Sequence, residues 1–240
     1  MSLDALFFGA HPDDVELTCG GLAARLASHA HAVGIVDLTR GEAGARGTVE
    51  ERTREAQAAA DALGVARRWT LGLPDLGIDS RDRAHLTKVV ECLRAERPQL
   101  VVAPDRHDPH PDHVEASLLI TRACHLAGFI KFPAPGERFR PAQLLYALYR
   151  SGPAPHLVVD ITSTWERRHQ ALLAHHSQIG SGPGPDTYLT SPDFLAEVEG
   201  RARAFGARIG VTFGEGYRVR GPIAIADARA LLMSAMEGAA

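Results

Sequence analysis

Apolar residues along this chain alternate between short runs and longer stretches of helical period. Leu3 to Phe8, Val33 to Leu38, Arg67 to Leu71 and Leu100 to Ala103 each have about the length of a strand. Between them, Gly20 to His29 carries Leu22 and Leu26 on one face, and Val49 to Leu63 is Ala-rich and stopped by Gly64. Asp82 to Glu96 sets Leu86, Val89, Val90 and Leu93 at i, i+3, i+4, i+7 and ends before Pro98. Val114 to Ala127 is the next helix. Strand–helix alternation of this kind builds a parallel sheet covered on both faces. The expected fold is α/β, a Rossmann-like doubly wound and mostly parallel sheet with a C-terminal lid or extension.

Beyond residue 130 the pattern changes. Lys131 to Pro141 is rich in proline and charge and reads as a loop, while Gln143 to Tyr149 and Leu157 to Ile161 read as strands. Ser163-Thr164-Trp165-Glu166 has the form of a capping box, opening a helix to about His176. Gly180 to Asp186 is a Gly/Pro loop; Ser191 then caps a helix with Pro192 at its first position, running to about Phe205. The Gly/Pro segment is too short to separate domains and reads as a lid or an oligomer contact. The 240 residues therefore form one domain, a core over 1–130 with an extension over 131–240.

Composition then narrows the partners. A chain that is 45% hydrophobic and 23% charged is ordinary for a globular domain, and its net charge of −3 argues against a nucleic-acid or acidic-membrane surface. No apolar run approaches the ~20 residues of a membrane span, and no basic and apolar leader opens the chain, so a cytoplasmic location is expected. Cys19, Cys92 and Cys124 are widely spaced without a C-x-x-C pair and read as core thiols.

The chemistry is concentrated in two clusters, Ala10-His11-Pro12-Asp13-Asp14 and His110-Pro111-Asp112-His113. Each follows a strand, and ligands of such sheets bind beyond the strands' carboxyl ends. His11 and Asp14 can point into one space, and His113 from the second loop can close the triangle. Two imidazoles and a carboxylate leave a fourth position for water, the open pattern of a catalytic zinc site. Asp13, beside a ligand but not needed as one, is placed to take the proton of that water. His110, three residues before His113, is placed to donate to an oxyanion or the leaving group. The other histidines lack a partner pattern and read as surface or packing residues. Gly20-Gly21 lacks G-x-G-x-x-G and serves close packing rather than a nucleotide, and no G-x-S-x-G is present.

With these motifs the chain resembles the PIG-L/LmbE family of zinc-dependent N-acetylglucosaminyl deacetylases. Supporting segments are Glu16, Asp37-Leu38-Thr39-Arg40-Gly41-Glu42, Gly47-Thr48, Glu51-Arg52, Glu55-Ala56, Leu73-Pro74-Asp75, Ser177-Gln178 and Glu215-Gly216-Tyr217. Within the family the order is most similar to the N-acetylglucosaminyl-malate deacetylases of bacillithiol biosynthesis. The resemblance implies His11, Asp14 and His113 as ligands of one Zn2+ (or Fe2+) per subunit, Asp13 as general base and His110 as support for the tetrahedral intermediate. It implies Arg52 as a substrate contact, able to clamp a sugar hydroxyl or malate carboxylates. It also implies a small acetylated amino-sugar substrate and a homo-oligomer, trimer or hexamer. Pro109 stands where an arginine is expected and Phe194 where a tyrosine is expected, which bears on the aglycone. The alternatives are a deacetylase of free N-acetylglucosamine or chitobiose-like sugars, a thiol S-conjugate amidase, or a non-catalytic metal- or sugar-binding protein.

Overall fold

The computed structural model describes residues 2–150, 153–180 and 184–223. The expected Gly/Pro loop at 180–186 and the end of the C-terminal extension lie partly outside these residues. Seven strands form one sheet in the order β3-β2-β1-β4-β5-β7-β6. They are β1 (Ala5–Gly9), β2 (Val33–Asp37), β3 (Arg67–Thr70), β4 (Leu100–Pro104), β5 (Gln143–Ala147), β6 (Leu157–Asp160) and β7 (Gly214–Val219). The first five in spatial order run parallel, and β7 pairs antiparallel with both β5 and β6. The α/β, mostly parallel architecture expected from the apolar runs is the one observed. The order reverses beside β1, and β1 and β4 are neighbours in the middle of the sheet. The loops leaving these two strands therefore open onto the same crevice.

The core lies in two layers. On one face Leu6, Phe8 and Val101 pack with α4 (Arg83–Glu96) and α5 (Pro111–Leu126). On the other, Phe7, Ile35 and Val102 pack with α2 (Gly20–Ser28) and α3 (Val49–Leu63). Successive residues of β1 thus serve opposite layers, and both faces of β1 and β2 are buried, which explains why they do not alternate apolar and polar residues. Helix α3 is bounded by a Thr48/Glu51 capping box and by Gly64 in the left-handed conformation. Cys19, Cys92 and Cys124 are free and buried. No described helix is long and apolar enough to cross a membrane.

Several local expectations are corrected. A five-residue helix, α1 (Asp14–Thr18), follows the first His/Asp cluster where a turn was expected. Helix α5 begins at Pro111 rather than Val114, because proline at the first position needs no N–H partner and His110 caps it. The Ser163 box does not form: α6 (Trp165–Leu173) starts without a side-chain cap, and the Thr164 hydroxyl donates to the Gly21 carbonyl instead. Helix α7 (Phe194–Ala207) starts two residues after Pro192. Strand β7 was not expected, since Gly-Glu-Gly carries little strand propensity. Its Glu215 explains Gly20-Gly21: the carboxylate accepts from the N–H groups of Gly21 and Leu22 at 2.7 and 2.9 Å. A Cβ on Gly21 would sit 2.8 Å from Ile161 and from the Glu215 carboxylate. The helix terminus that could cradle a phosphate is filled by the chain's own anion.

Candidate active site

The two His/Asp clusters meet above the carboxyl ends of β1 and β4. His11 and Asp13 sit on the loop leaving β1, and Asp14 opens α1, its Oδ2 accepting from the His11 N–H at 2.8 Å. Asp13 is held at φ 120°, a conformation that L-residues avoid, so the surrounding structure must hold the loop. His110 and His113 come from the cap and first turn of α5. The His11, His110 and His113 rings lie 4.8 to 5.5 Å apart by centroid.

The Asp14 carboxylate lies between two imidazoles, 3.1 Å from His113 Nε2 and 3.6 Å from His11 Nδ1. The outer nitrogen of each of these rings faces another carboxylate. His11 Nε2 lies 3.1 Å from Asp75 and 3.3 Å from Asp112, and His113 Nδ1 lies 3.0 Å from Asp108. A carboxylate behind each imidazole is how ligand histidines are oriented and made more basic. Among the described residues two donor sets are close enough for one cation, His11/His110/His113 and His11/Asp75/Asp112. In the second, Asp75 and Asp112 already accept from the N–H groups of Ala43 and Leu76, both at 2.8 Å, which marks them as supports. Asp14 belongs to neither set; what makes it a candidate donor is its carboxylate, 3.1 Å from His113 Nε2 and 3.6 Å from His11 Nδ1, and a carboxylate between two imidazoles is donor chemistry that fits a divalent ion.

The charge state agrees. Burial pushes the His11 ring down, but Asp112, Asp14 and Asp75 outweigh it and raise its pKa to about 12. Burial likewise opposes protonation of His113, yet Asp14 and Asp108 raise it to about 10. These carboxylates demand positive charge on the rings, which a divalent cation supplies without protons. Asp13 goes the other way: burial pushes its pKa up to about 6, with Arg52 opposing. His110 is lowered by burial and by the neighbouring rings. Its Nδ1 accepts the Asp112 N–H at 3.2 Å, so the neutral ring carries its proton on Nε2.

Arg52 is buried rather than on the helix surface, and lines the same cavity. Its Nη1 donates to the Gly41 carbonyl and its Nη2 to that of Pro12, both at 2.9 Å, and Nη2 lies 3.6 Å from Asp13. Gly41 is at φ 69°, and a Cβ there would fall 2.0 Å from the guanidinium. That close approach accounts for the glycine in Thr39-Arg40-Gly41-Glu42.

Beneath the loop lies a buried ionic cluster that sequence reasoning missed. Arg68 donates to Asp37 at 2.8 and 2.9 Å and to Glu16 at 2.5 Å, and His175 is 3.4 Å from Glu16. Burial raises Glu16, but Arg68 and His175 overcome it and bring its pKa to about 2.

The cavity above the cluster measures about 490 Å³. Its far wall carries Tyr149, Arg150, Gln178 and Tyr188, none singled out from the sequence as site residues except the Ser177-Gln178 segment. Tyr149 meets His113 edge-on, with centroids 6.5 Å apart. Arg150 stacks over Tyr188 at 3.6 Å, and Glu197 pairs with both. Pro109 lines the cavity, and Phe194 is buried behind Tyr188 with ring centroids 5.2 Å apart.

Residues 6–124 match the family model described as PIG-L: GlcNAc-PI de-N-acetylase. A 1D-myo-inositol 2-acetamido-2-deoxy-alpha-D-glucopyranoside deacetylase of Rhodococcus erythropolis is 30% identical over 84% of this chain and 79% of its own. A diacetylchitobiose deacetylase of Thermococcus kodakarensis is 26% identical over 87% and 79%. Among solved structures, the conserved protein TT1542 from Thermus thermophilus superposes with a TM-score of 0.86 and 37% identity, over 93% of this chain and 97% of that one. The named relatives act on an inositol conjugate and a chitobiose, and neither name points to a malate conjugate. Matches of this extent, to both the sequence and the fold, make the chain a member of the PIG-L deacetylase family.

Proposed function

We propose that the chain hydrolyses the N-acetyl group of an N-acetylglucosaminyl conjugate in a metal-dependent reaction, releasing acetate and a free amine. The observation that carries this reading is the placement of Asp14 between two carboxylate-backed imidazoles, with Asp13 uncommitted to that set and facing the same cavity. A divalent ion held by His11, Asp14 and His113, zinc or iron(II), would supply a Lewis acid for the acetyl carbonyl and a water of lowered pKa. Asp13 takes the proton of the attacking water as the C–O bond forms and returns it to the departing nitrogen as the C–N bond breaks. A carboxyl whose pKa is raised towards neutrality suits both roles. His110 donates from Nε2 to the oxyanion, in the tautomer that its capping contact selects. Arg52 fixes the loop that carries Asp13, and its place in the cavity lining keeps it in reach of a sugar hydroxyl or an aglycone.

For the aglycone, N-acetylglucosaminyl-malate is favoured by Arg150 and Arg52 in the cavity lining, because guanidinium–carboxylate pairs are stronger than neutral hydrogen bonds. A chitobiose-like sugar is favoured by Tyr149 and Tyr188, flat surfaces on which a second ring can lie. The test is acetate release from N-acetylglucosamine, its malate and inositol conjugates and diacetylchitobiose, compared as kcat/KM. Preference for malate over the others supports the first reading and preference for the disaccharide the second. No acetate from any of them, with metal bound, contradicts the function.

A further inference from the structure

A second cavity, of about 700 Å³, lies between α5 and the β5–β7 part of the sheet and shares no lining residue with the active-site cavity. Its charge is one-sided. Among the described residues, Arg106, Arg122, Arg218 and Arg220 line it against a single carboxylate, Asp105. The whole chain is net negative, so this is a local concentration of positive charge. Asp105 is also already engaged: its Oδ1 lies 2.7 Å from His107 Nδ1 and accepts the His107 N–H at 2.9 Å, and its Oδ2 lies 3.7 Å from Arg218. It leaves the other guanidinium groups uncompensated.

The arginines also have donors to give. Arg106 and Arg220 are exposed at the rim and make no hydrogen bond or ion pair among the described residues. Arg122 uses Nη1 on the carbonyl and hydroxyl of Ser80, which steadies the side chain. The Nε of Arg218 is buried without a hydrogen-bond partner. Its Nη1 lies 3.1 Å from His107 Nδ1 and 3.7 Å from Asp105, so Arg218 is held in place at the cavity wall. Tyr146 and Arg218 are register partners on adjacent strands, and the Tyr146 hydroxyl meets Thr121 of α5 at 2.7 Å. Thr121 gives its proton to the Ser117 carbonyl and accepts that of Tyr146, so the free donors of this lining are the guanidinium groups.

We propose that this cavity is a binding site for a small polyanion, a molecule bearing at least two phosphate or carboxylate groups. Planar guanidinium forks recognise both groups through paired N–H···O bonds, and several forks around one space select for multiple charge. The site is separate from the deacetylation chemistry, so it holds its ligand whether or not the metal cluster is intact.

The test is calorimetric titration of the full chain, freed of metal, with inorganic pyrophosphate and, in a second arm, with citrate. The expected result is saturable binding of one anion per chain. Kd should rise at least tenfold in Arg106→Ser/Arg220→Ser and stay unchanged in His11→Ala, which dismantles the other cavity's cation site. Both arginines are exposed and make no hydrogen bond or ion pair among the described residues, so the double variant should keep the wild-type melting temperature; each single variant should show part of the loss. Tighter binding of pyrophosphate identifies a phosphorylated ligand, and tighter binding of citrate a polycarboxylate. Binding that is absent in wild type, equal in the double variant, or lost in His11→Ala overturns the proposal.

Discussion

The two walls of the active-site cavity are built on different principles. The wall from β1 and β4 is dense with charge: His11, Asp13, Asp14, His110 and His113 are backed by Asp75, Asp108 and Asp112, and beneath them by Arg68, Glu16 and Asp37. Each group there is held by another, and the strained backbone of Asp13 is fixed by Arg52. The opposite wall, from the segments after β5 and before α7, offers Tyr149, Arg150 and Tyr188 stacked on one another's neighbours and more open to solvent. A wall proposed to hold a cation and move a proton should tolerate little change. A wall proposed to meet the aglycone could vary, and Pro109 and Phe194 depart from expectation near it.

That contrast should be sharpest for the two histidines proposed as ligands. His11→Ala and His113→Ala should each lose bound metal and all measurable deacetylation. Elemental analysis beside an acetate assay checks this, and full metal occupancy in either variant would remove that residue from the coordination set. Next in size is His110→Ala, expected to lower kcat by ~10²–10³ with metal retained, the usual effect of removing one oxyanion donor. Unchanged kcat at saturating substrate would place His110 in a structural role as the cap of α5.

Sequence patterns made this first wall legible because its residues sit at strand ends, where short motifs report directly on position. The parallel part of the sheet followed from short apolar runs alternating with helical periods, and the α3 boundaries from Thr48, Glu51 and Gly64. Less legible was whatever depends on distant pairing. Glu215 caps α2 from 194 residues away, and Asp37 and Glu16 pair with Arg68 across two strands and a helix, which no local spacing encodes. Asp75 and Asp108 support ring nitrogens on residues far from them in the chain or on the far side of a turn. The second wall was not singled out because tyrosines and an arginine in loops carry no periodic signal.

The buried cluster under the first wall gives a stability prediction. Arg68→Met leaves Glu16 and Asp37 as uncompensated buried carboxylates and should destabilise the fold by about 3–5 kcal/mol, read by urea unfolding. A change below ~1 kcal/mol would show that water reaches the cluster. Glu16, whose folded pKa is lowered to about 2, binds its proton more readily when unfolded. Its contribution is therefore present above about pH 4.5 and lost as the pH falls towards 2. Glu16→Gln should flatten that part of the stability–pH curve.

The smallest effect belongs to the second wall. Arg150→Ala should lower kcat/KM for a malate conjugate by ~10-fold, the equivalent of one charge-assisted contact, and leave diacetylchitobiose nearly unaffected. An equal fall for both would assign Arg150 to supporting Tyr188 rather than to reading the aglycone.

The division between holding a cation and moving a proton is tested most directly by Asp13→Ala, assayed for bound metal and for acetate released in the same preparation. The account predicts one metal ion per chain, as in wild type, with deacetylation lowered by at least ~10²-fold, the contribution of a general base. A variant as empty of metal as His11→Ala would make Asp13 a ligand, and a full-occupancy variant with wild-type turnover would leave the reaction without the base assigned here.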